Sequence, residues 1–307
     1  MLLRNITDHI NKTPLIELRK IYTGKGQLYA KMEHIQPGGS IKDRVALQMI
    51  TDAYADGRLT KGMPVMEMTS GNMGAGLAVV CGAFGNPFTA FMSMGNSPAR
   101  VKILKALGAE VVLVPQVNGE PGKVTGDDIA KAEEVAKETV LKQNGFYADQ
   151  FNNPSSVRAH YNTTGPEIYS ELNGRLDAFI AIVGSGGTFI GTSGYLKSRL
   201  PTVKCIPVEA EKAAIIKTGK VIDPKHIIQG TSYGYIPPQW NSSLVDEVIT
   251  VSDDEVADTK EALGKIEGLF VGFSSGANVA AAIKFLRRFN NENTSVATIL
   301  CDSGFKY

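Results

Sequence analysis

Residues 65–94, VMEMTSGNMGAGLAVVCGAFGNPFTAFMSM, open on a short apolar run, pass a Ser-Gly-Asn turn, stay apolar on every side from Met73 to Phe84, and close on a second apolar run. The spacing predicts strand, crossover helix, strand. Working outward, LYAKME, EVVLVP, DAFIAIVG, CIPVEA, EVITVS and VATILCD are further short apolar runs, and 97–107 carries Val101, Leu104 and Leu107 at helical spacing. Strands rich in Val, Ile and Phe belong in parallel sheets covered by helices on both faces. The pattern therefore predicts a doubly wound α/β fold.

At 307 residues the chain exceeds the size at which one core usually stops growing, and two domains are expected. Hydrophobic residues at 43% and charged residues at 21% are ordinary globular values, which removes disordered and fibrous classes. With 32 Lys plus Arg against 31 Asp plus Glu and no long run of one sign, nothing calls for nucleic acid or an anionic membrane. No run reaches the ~18 uninterrupted apolar residues of a membrane span. The start, MLLRNITDHINKTPLIEL, shows neither a secretion signal's apolar core nor a transit peptide's Arg-rich face, so a cytoplasmic location is expected. Cys81, Cys205 and Cys301 lie far apart in apolar surroundings and form no metal-binding spacing; reduced core thiols and no metal are expected. A loop, VNGEPGKVTGDD at 117–128, precedes a helix patterned from Ile129 to Leu141, and the domain seam is expected just after that helix.

Three motifs carry chemistry. In QPGGSIKDR, 36–44, a Pro-Gly-Gly turn leads to a Ser that can cap a helix holding Lys42 in its first turn. The positive helix end and partial burial lower a lysine's pKa and free its amine for a Schiff base. Taken alone, the motif equally describes an ordinary exposed helix lysine. In EMTSGNMG, 67–74, a turn delivers Thr69, Ser70, Gly71 and Asn72 into a helix start, presenting N–H groups and hydroxyls suited to a small anion. By itself it could be a plain strand-to-helix connection. In VGSGGTFIG, 183–191, a glycine-rich turn lets backbone amides close around a phosphate. The dinucleotide spacing needs glycine at position 189, which is Phe, and no GK[ST] follows, so a single phosphate suits the turn better than a pyrophosphate. A rival reading is GFSSG, 272–276, which matches a hydrolase nucleophile elbow. The order there is Ser, acid, His, yet His9, His34, His160 and His226 all precede Ser274. Each histidine is expected to be structural or on the surface.

Taken together, NKTPLIEL, GGSIKDR, TSGNMG, GNSPARVKILKALGAEVVLV, DQFNNP, HYNTTGPEI, GSGGTFIG, GFSSGAN and CDSGFKY resemble the cysteine synthase and cystathionine β-synthase family, the fold-type II pyridoxal-phosphate enzymes. The resemblance spans almost the whole chain and is closest to O-acetylserine sulfhydrylase-like cysteine synthases. It implies a tryptophan synthase β-like fold: two doubly wound three-layer domains with mostly parallel sheets, 43–146 and 1–42 plus 147–307, with the cofactor in the cleft between them. It implies that Lys42 carries pyridoxal 5'-phosphate and later moves the substrate's α-proton, and that Asn72 bonds the ring 3' oxygen. Gly184, Ser185, Gly186, Gly187 and Thr188 would cradle the phosphate, and Ser274 would face the pyridine nitrogen. A hydroxyl there, unlike a carboxylate, gives the ring little reason to protonate, which favours loss of a β-leaving group over a long-lived carbanion. Thr69, Ser70 and Gln150 would bind the α-carboxylate, with Gly71, Met73 and Gly230 also in the substrate site. The implied reaction is β-elimination or β-replacement through an aminoacrylate, foremost O-acetylserine plus sulfide to cysteine plus acetate. Release of hydrogen sulfide from cysteine, another nucleophile in a cystathionine or lanthionine synthase-like reaction, and a cofactor-binding metabolite sensor are the alternatives. A homodimer is implied as well.

The chain departs from the family pattern at three places. Met73 stands where the family reads Thr, which removes a hydroxyl hydrogen bond of about 1 kcal/mol beside the carboxylate site. GTSYGYIPP, 230–238, in which Tyr233 and Tyr235 would narrow the entrance, replaces a GIGAGFIP-like segment, and the 117–128 loop is longer than usual. An altered substrate is consistent with these changes.

Overall fold

A computed structural model describes residues 2–307. Two strands, β1 (Leu15–Glu17) and β2 (Gln27–Met32), precede α1 (Lys42–Ala55). The stretch quoted above forms β3 (Val65–Met68), α2 (Asn72–Phe84) and β4 (Phe88–Ser93). The alternation continues through α3 (Pro98–Ala106), β5 (Glu110–Val114), α4 (Gly126–Gln143) and β6 (Phe146–Tyr147). Helix α5 (Ser155–Ala159) runs through a π turn at His160–Thr164 into α6 (Gly165–Glu171). There follow β7 (Ala178–Ile182), α7 (Gly187–Arg199), β8 (Lys204–Ala210), α8 (Ile215–Thr218), β9 (Ile249–Val251), α9 (Asp253–Ala262), α10 (Phe273–Phe289) and β10 (Ser295–Leu300).

The chain divides into two compact units, one ending its first segment at Ile10 and resuming over Gln36–Ser155, the other comprising Asn11–Ile35 and Ser156–Tyr307. The first holds a four-stranded parallel sheet in the order β5-β4-β3-β6. Every residue of β4 is buried, whereas β5 is partly exposed at the sheet edge. Burial on both faces explains why FTAFMS reads as a continuous apolar run rather than an alternating one. Helices α1 and α2 meet at backbone contact: a Cβ on Gly76 would lie 3.1 Å from the Lys42 carbonyl oxygen. Small residues in α2 permit that approach.

The second unit holds a six-stranded sheet in the order β1-β2-β10-β7-β8-β9, in which only the β1–β2 pairing is antiparallel. Strands β7 and β10 are buried throughout, and α10 buries one broad apolar face. Asn278, fully buried in α10, ties this layer to the sheet: its Oδ1 accepts from Ile182 N at 2.6 Å and its Nδ2 donates to Ile299 O at 2.8 Å.

Each sheet changes winding direction once. In the first unit the chain runs outward from β3 through β4 to β5, then returns to β6 on the far side of β3; in the second it runs from β7 through β8 to β9 and returns to β10 beside β7. Open α/β sheets take ligands outside the carboxyl ends of the strands at such a switch point. The Thr69–Asn72 turn leaves β3 at the first, and the Gly184–Thr188 turn leaves β7 at the second.

The chain passes between the units at 10/11, 35/36 and 155/156, against the expected 42/43 and 146/147, so the segment ending at Ile10 falls in the first unit rather than with the larger domain. Residues 36–41 fold onto α1, with Gly38 N donating to the Asp43 carboxylate and Lys42 N to Ser40 Oγ. Residues 148–155 are held by Ala148 N to Met66 O and by Ser155 Oγ to Asp52. Helix α4 begins three residues before the expected Ile129, at Gly126, because Thr125 and Asp128 form a reciprocal capping box ahead of the first apolar position. Strands β1 and β6, of three and two residues, are too short to show a period. Among the described residues no helix is long and apolar enough to cross a membrane, and no group of three or more His, Cys, Asp or Glu is placed to hold a metal. Cys81 and Cys205 are free and buried, and burial pushes their thiols up to about 12 and about 11.

Candidate active site

In the first unit Lys42 is the first residue of α1, half-buried, with Ser40 Oγ accepting its backbone N–H at 3.2 Å. The residue that precedes the helix is Ile41, which makes no side-chain cap bond, so the expected serine cap is displaced by one position: Ser40 bonds the backbone from outside the cap. Thr69 is buried at the end of β3, and its Oγ1 accepts from Gly74 N at 3.2 Å, closing the turn that opens α2. Within the turn Ser70 Oγ accepts from the Arg100 guanidinium at 3.2 Å, Gly71 is exposed, and Asn72 is the first residue of α2. Met73 is only 2% exposed, so its side chain packs inward.

Gln150 reaches the same sheet edge through β6. The parallel register Val65↔Phe146 and Met66↔Tyr147 carries residues 148–150 alongside 67–69. There the Glu67 carboxyl accepts from Asp149 N at 2.8 Å and from Gln150 N at 3.3 Å. Asp149 is left-handed, φ 52°, a conformation Asp tolerates better than most residues. Glu67 itself is 2% exposed, and burial raises its carboxyl from the usual 4.5 to about 8 even though the two N–H donors favour the anion.

The second unit carries Gly184–Thr188 at its switch point. Gly186 is left-handed, φ 89°, and stands before α7 with no side-chain cap, which leaves the amides of the first turn facing outward. A Cβ on Gly184 would lie 2.6 Å from the Gly230 carbonyl oxygen, and one on Gly187 would lie 2.9 Å from Ser156 O. Only glycine leaves this turn intact, and its uncapped amides, the buried Ser185 and the Thr188 hydroxyl are the groups it offers to a ligand. Gly230 is left-handed, φ 77°, and the next residues are pinned by Ser232 N to Val183 O and by Ala210 N to Ser232 Oγ. Tyr233 and Tyr235 stack with ring centroids 5.7 Å apart and are 41% and 48% exposed. Ser274 is buried in the first turn of α10, one turn before the Asn278 strap.

Several residues that support these positions act through partners distant in the chain. Asn278 fixes α10, and with it Ser274, against β7 and β10. His160 is buried with Nδ1 2.9 Å from Thr164 Oγ1 and Nε2 3.2 Å from Thr188 Oγ1, so it is structural as expected and holds the Thr188 hydroxyl in the first turn of α7. Glu67 had a visible signal, a carboxylate inside the buried run VMEM, and Arg100 had none.

Both units thus present their motifs at the switch points where open α/β sheets bind small ligands, one with a lysine at a helix start and a Ser-Gly-Asn turn, the other with a glycine-rich turn, the layout of an α/β ligand-binding protein. A family model described as pyridoxal-phosphate dependent enzyme matches residues 6–302, and the chain belongs to that family. It is 37% identical to a cysteine synthase of Staphylococcus aureus over 305 residues, covering 99% of this chain and 94% of the relative. It is 39% identical to cysteine synthase A of Escherichia coli over 304 residues, 97% of this chain and 91% of the relative. Among solved structures it is similar to a hydrogen sulfide-producing enzyme of Fusobacterium nucleatum, with a TM-score of 0.91, 34% identity and coverage of 100% of this chain and 98% of that one. The α/β architecture with two mostly parallel sheets is that of these fold-type II enzymes.

Proposed function

We propose that Lys42 holds pyridoxal 5'-phosphate and that the enzyme carries out β-replacement on a small amino acid, first of all O-acetylserine plus sulfide to cysteine plus acetate. When bound, the cofactor supplies an electron sink for the substrate's α-carbon. The chain's own residues do the rest. The Lys42 amine, at the start of α1 and half-buried, would take the proton from the substrate's α-carbon. Thr69, Ser70 and Gln150 hold the α-carboxylate, with Gly71 and Met73 beside them and Gly230 bordering the substrate. Asn72 would bond the ring 3' oxygen, Gly184–Thr188 would take the phosphate, and the Ser274 hydroxyl would meet the ring nitrogen without the charge that favours its protonation.

The observation that carries this reading is the backbone contact of α1 with α2 through Gly76, which sets the Lys42 helix start beside the turn that opens α2. Relatives named cysteine synthase add support. Lys42→Ala protein supplied with the cofactor is expected to lose the visible Schiff-base band and turnover together; a band that persists in the variant overturns the assignment of Lys42. Product analysis with O-acetylserine plus sulfide, and separately with cysteine alone, identifies the reaction.

A second reading, sulfide release from cysteine, is supported by the likeness to the hydrogen sulfide-producing enzyme of Fusobacterium nucleatum. Sulfide formed from cysteine at a rate exceeding cysteine synthesis would select it. A cytoplasmic homodimer is part of the proposal, and sedimentation velocity of the purified protein checks the dimer.

A further inference from the structure

We infer that Arg100 is a positioning residue for the substrate carboxylate, acting through Ser70. This deepens the proposed function and rests on the assignment of the Thr69–Asn72 turn as the carboxylate site. A guanidinium has five donors and no acceptor, so in the 3.2 Å contact between Arg100 and Ser70 the serine oxygen must accept. The Ser70 hydroxyl proton is therefore turned away from Arg100 and is available to an anion at the turn. The turn itself, Thr69 to Met73, contains no charged side chain, and Arg100 brings a cation to its edge.

The placement of Arg100 is built into the fold. It lies in the first turn of α3, whose start is set by Ser97 Oγ accepting Ala99 N, by Pro98 at the first helical position, and by Asn96 bonding Ser93 O through both its backbone and its side-chain N–H. The 117–125 loop braces the same segment. Asp128 accepts the N–H groups of Val117 and Thr125, and Gly122 N donates to Gly95 O. On the other side of the turn a Cβ on Gly74 would press on both Thr69 and Leu104, so α3 is packed directly against it. Met73 contributes bulk there and no hydroxyl, which leaves Ser70, and the cation behind it, with more of the carboxylate recognition.

The test compares L-alanine with L-alaninamide, neither of which has a β-leaving group, by titrating the cofactor-loaded enzyme and following its visible spectrum. The wild type is expected to prefer the acid. In Arg100→Gln the dissociation constant for alanine is expected to rise about ten- to hundredfold, the value of a charge-assisted hydrogen bond, with the constant for alaninamide changed less than about twofold. Arg100→Lys is expected to recover part of the preference. Comparing the acid-to-amide ratio between variants cancels the different basicity of the two amines. An unchanged ratio in Arg100→Gln and Arg100→Lys, or an equal loss for acid and amide, overturns the role of Arg100. A wild type that does not prefer the acid overturns the carboxylate assignment of the turn, and the role of Arg100 with it.

Discussion

Replacing Glu67 by glutamine isolates the ionisation of one buried carboxyl. Glu67 is 2% exposed and accepts two backbone N–H groups, from Asp149 and Gln150, and so holds the segment that carries Gln150. Burial raises its carboxyl from 4.5 to about 8, opposed by those two donors and assisted by the charges of Asp149 and Glu133. The folded protein thus binds this proton more tightly than the unfolded chain does. The stabilisation is complete below about 4.5 and is lost as pH rises to about 8. Each pH unit inside that window is worth ~1.4 kcal/mol, so the whole effect is bounded at roughly 5 kcal/mol. Glutamine does not titrate, and its amide N–H faces one of the backbone donors, at a constant cost of about 1–3 kcal/mol. Urea unfolding of both proteins from pH 5 to pH 9 reads the difference. Glu67→Gln should be the less stable protein at pH 5, and the gap should shrink, and can invert, by pH 8.5. Parallel stability profiles across that range would refute a raised Glu67.

Gly184→Ala drives a methyl group to 2.6 Å from a backbone oxygen, so the turn must open at a cost of about 1–3 kcal/mol. Cofactor affinity, titrated into apoprotein, should fall about tenfold or more. Asn278→Ala leaves the Ile182 N–H and the Ile299 carbonyl without their side-chain partner in the core, and should lower stability by at least about 2 kcal/mol in thermal denaturation with the first effect in α10. A variant of wild-type stability would show that Asn278 is not the strap described above.

The alternation of strand and helix was legible wherever burial on both faces kept a strand mostly apolar, as in FTAFMS and AFIAI. It failed at β1 and β6, where three and two residues hold no period, and at the start of α4, where capping rather than hydrophobicity sets the boundary. The motifs were legible for a similar reason. A serine two residues before a lysine, or glycines in a strand-to-helix turn, act on their own backbone, and the Ser40–Lys42 bond and the left-handed Gly186 are local consequences of local residues.

The domain seams and the supporting residues depended on distant partners. Residues 148–155 belong with the first unit because Met66, Glu67 and Asp52, far earlier in the chain, hold them. Arg100 meets Ser70 across 30 residues, His160 meets Thr188 across 28, and Asn278 meets Ile182 across 96. The sequence by itself determined the class of fold and the strand-to-helix turns that carry the motifs, since each rests on periodicity or turn geometry within a few residues. Only the tertiary structure decided the strand orders β5-β4-β3-β6 and β1-β2-β10-β7-β8-β9, and with them which buried groups face one another. A hydrogen bond or a burial penalty belongs to a pair of neighbours, and strand order, not chain order, chooses the neighbours.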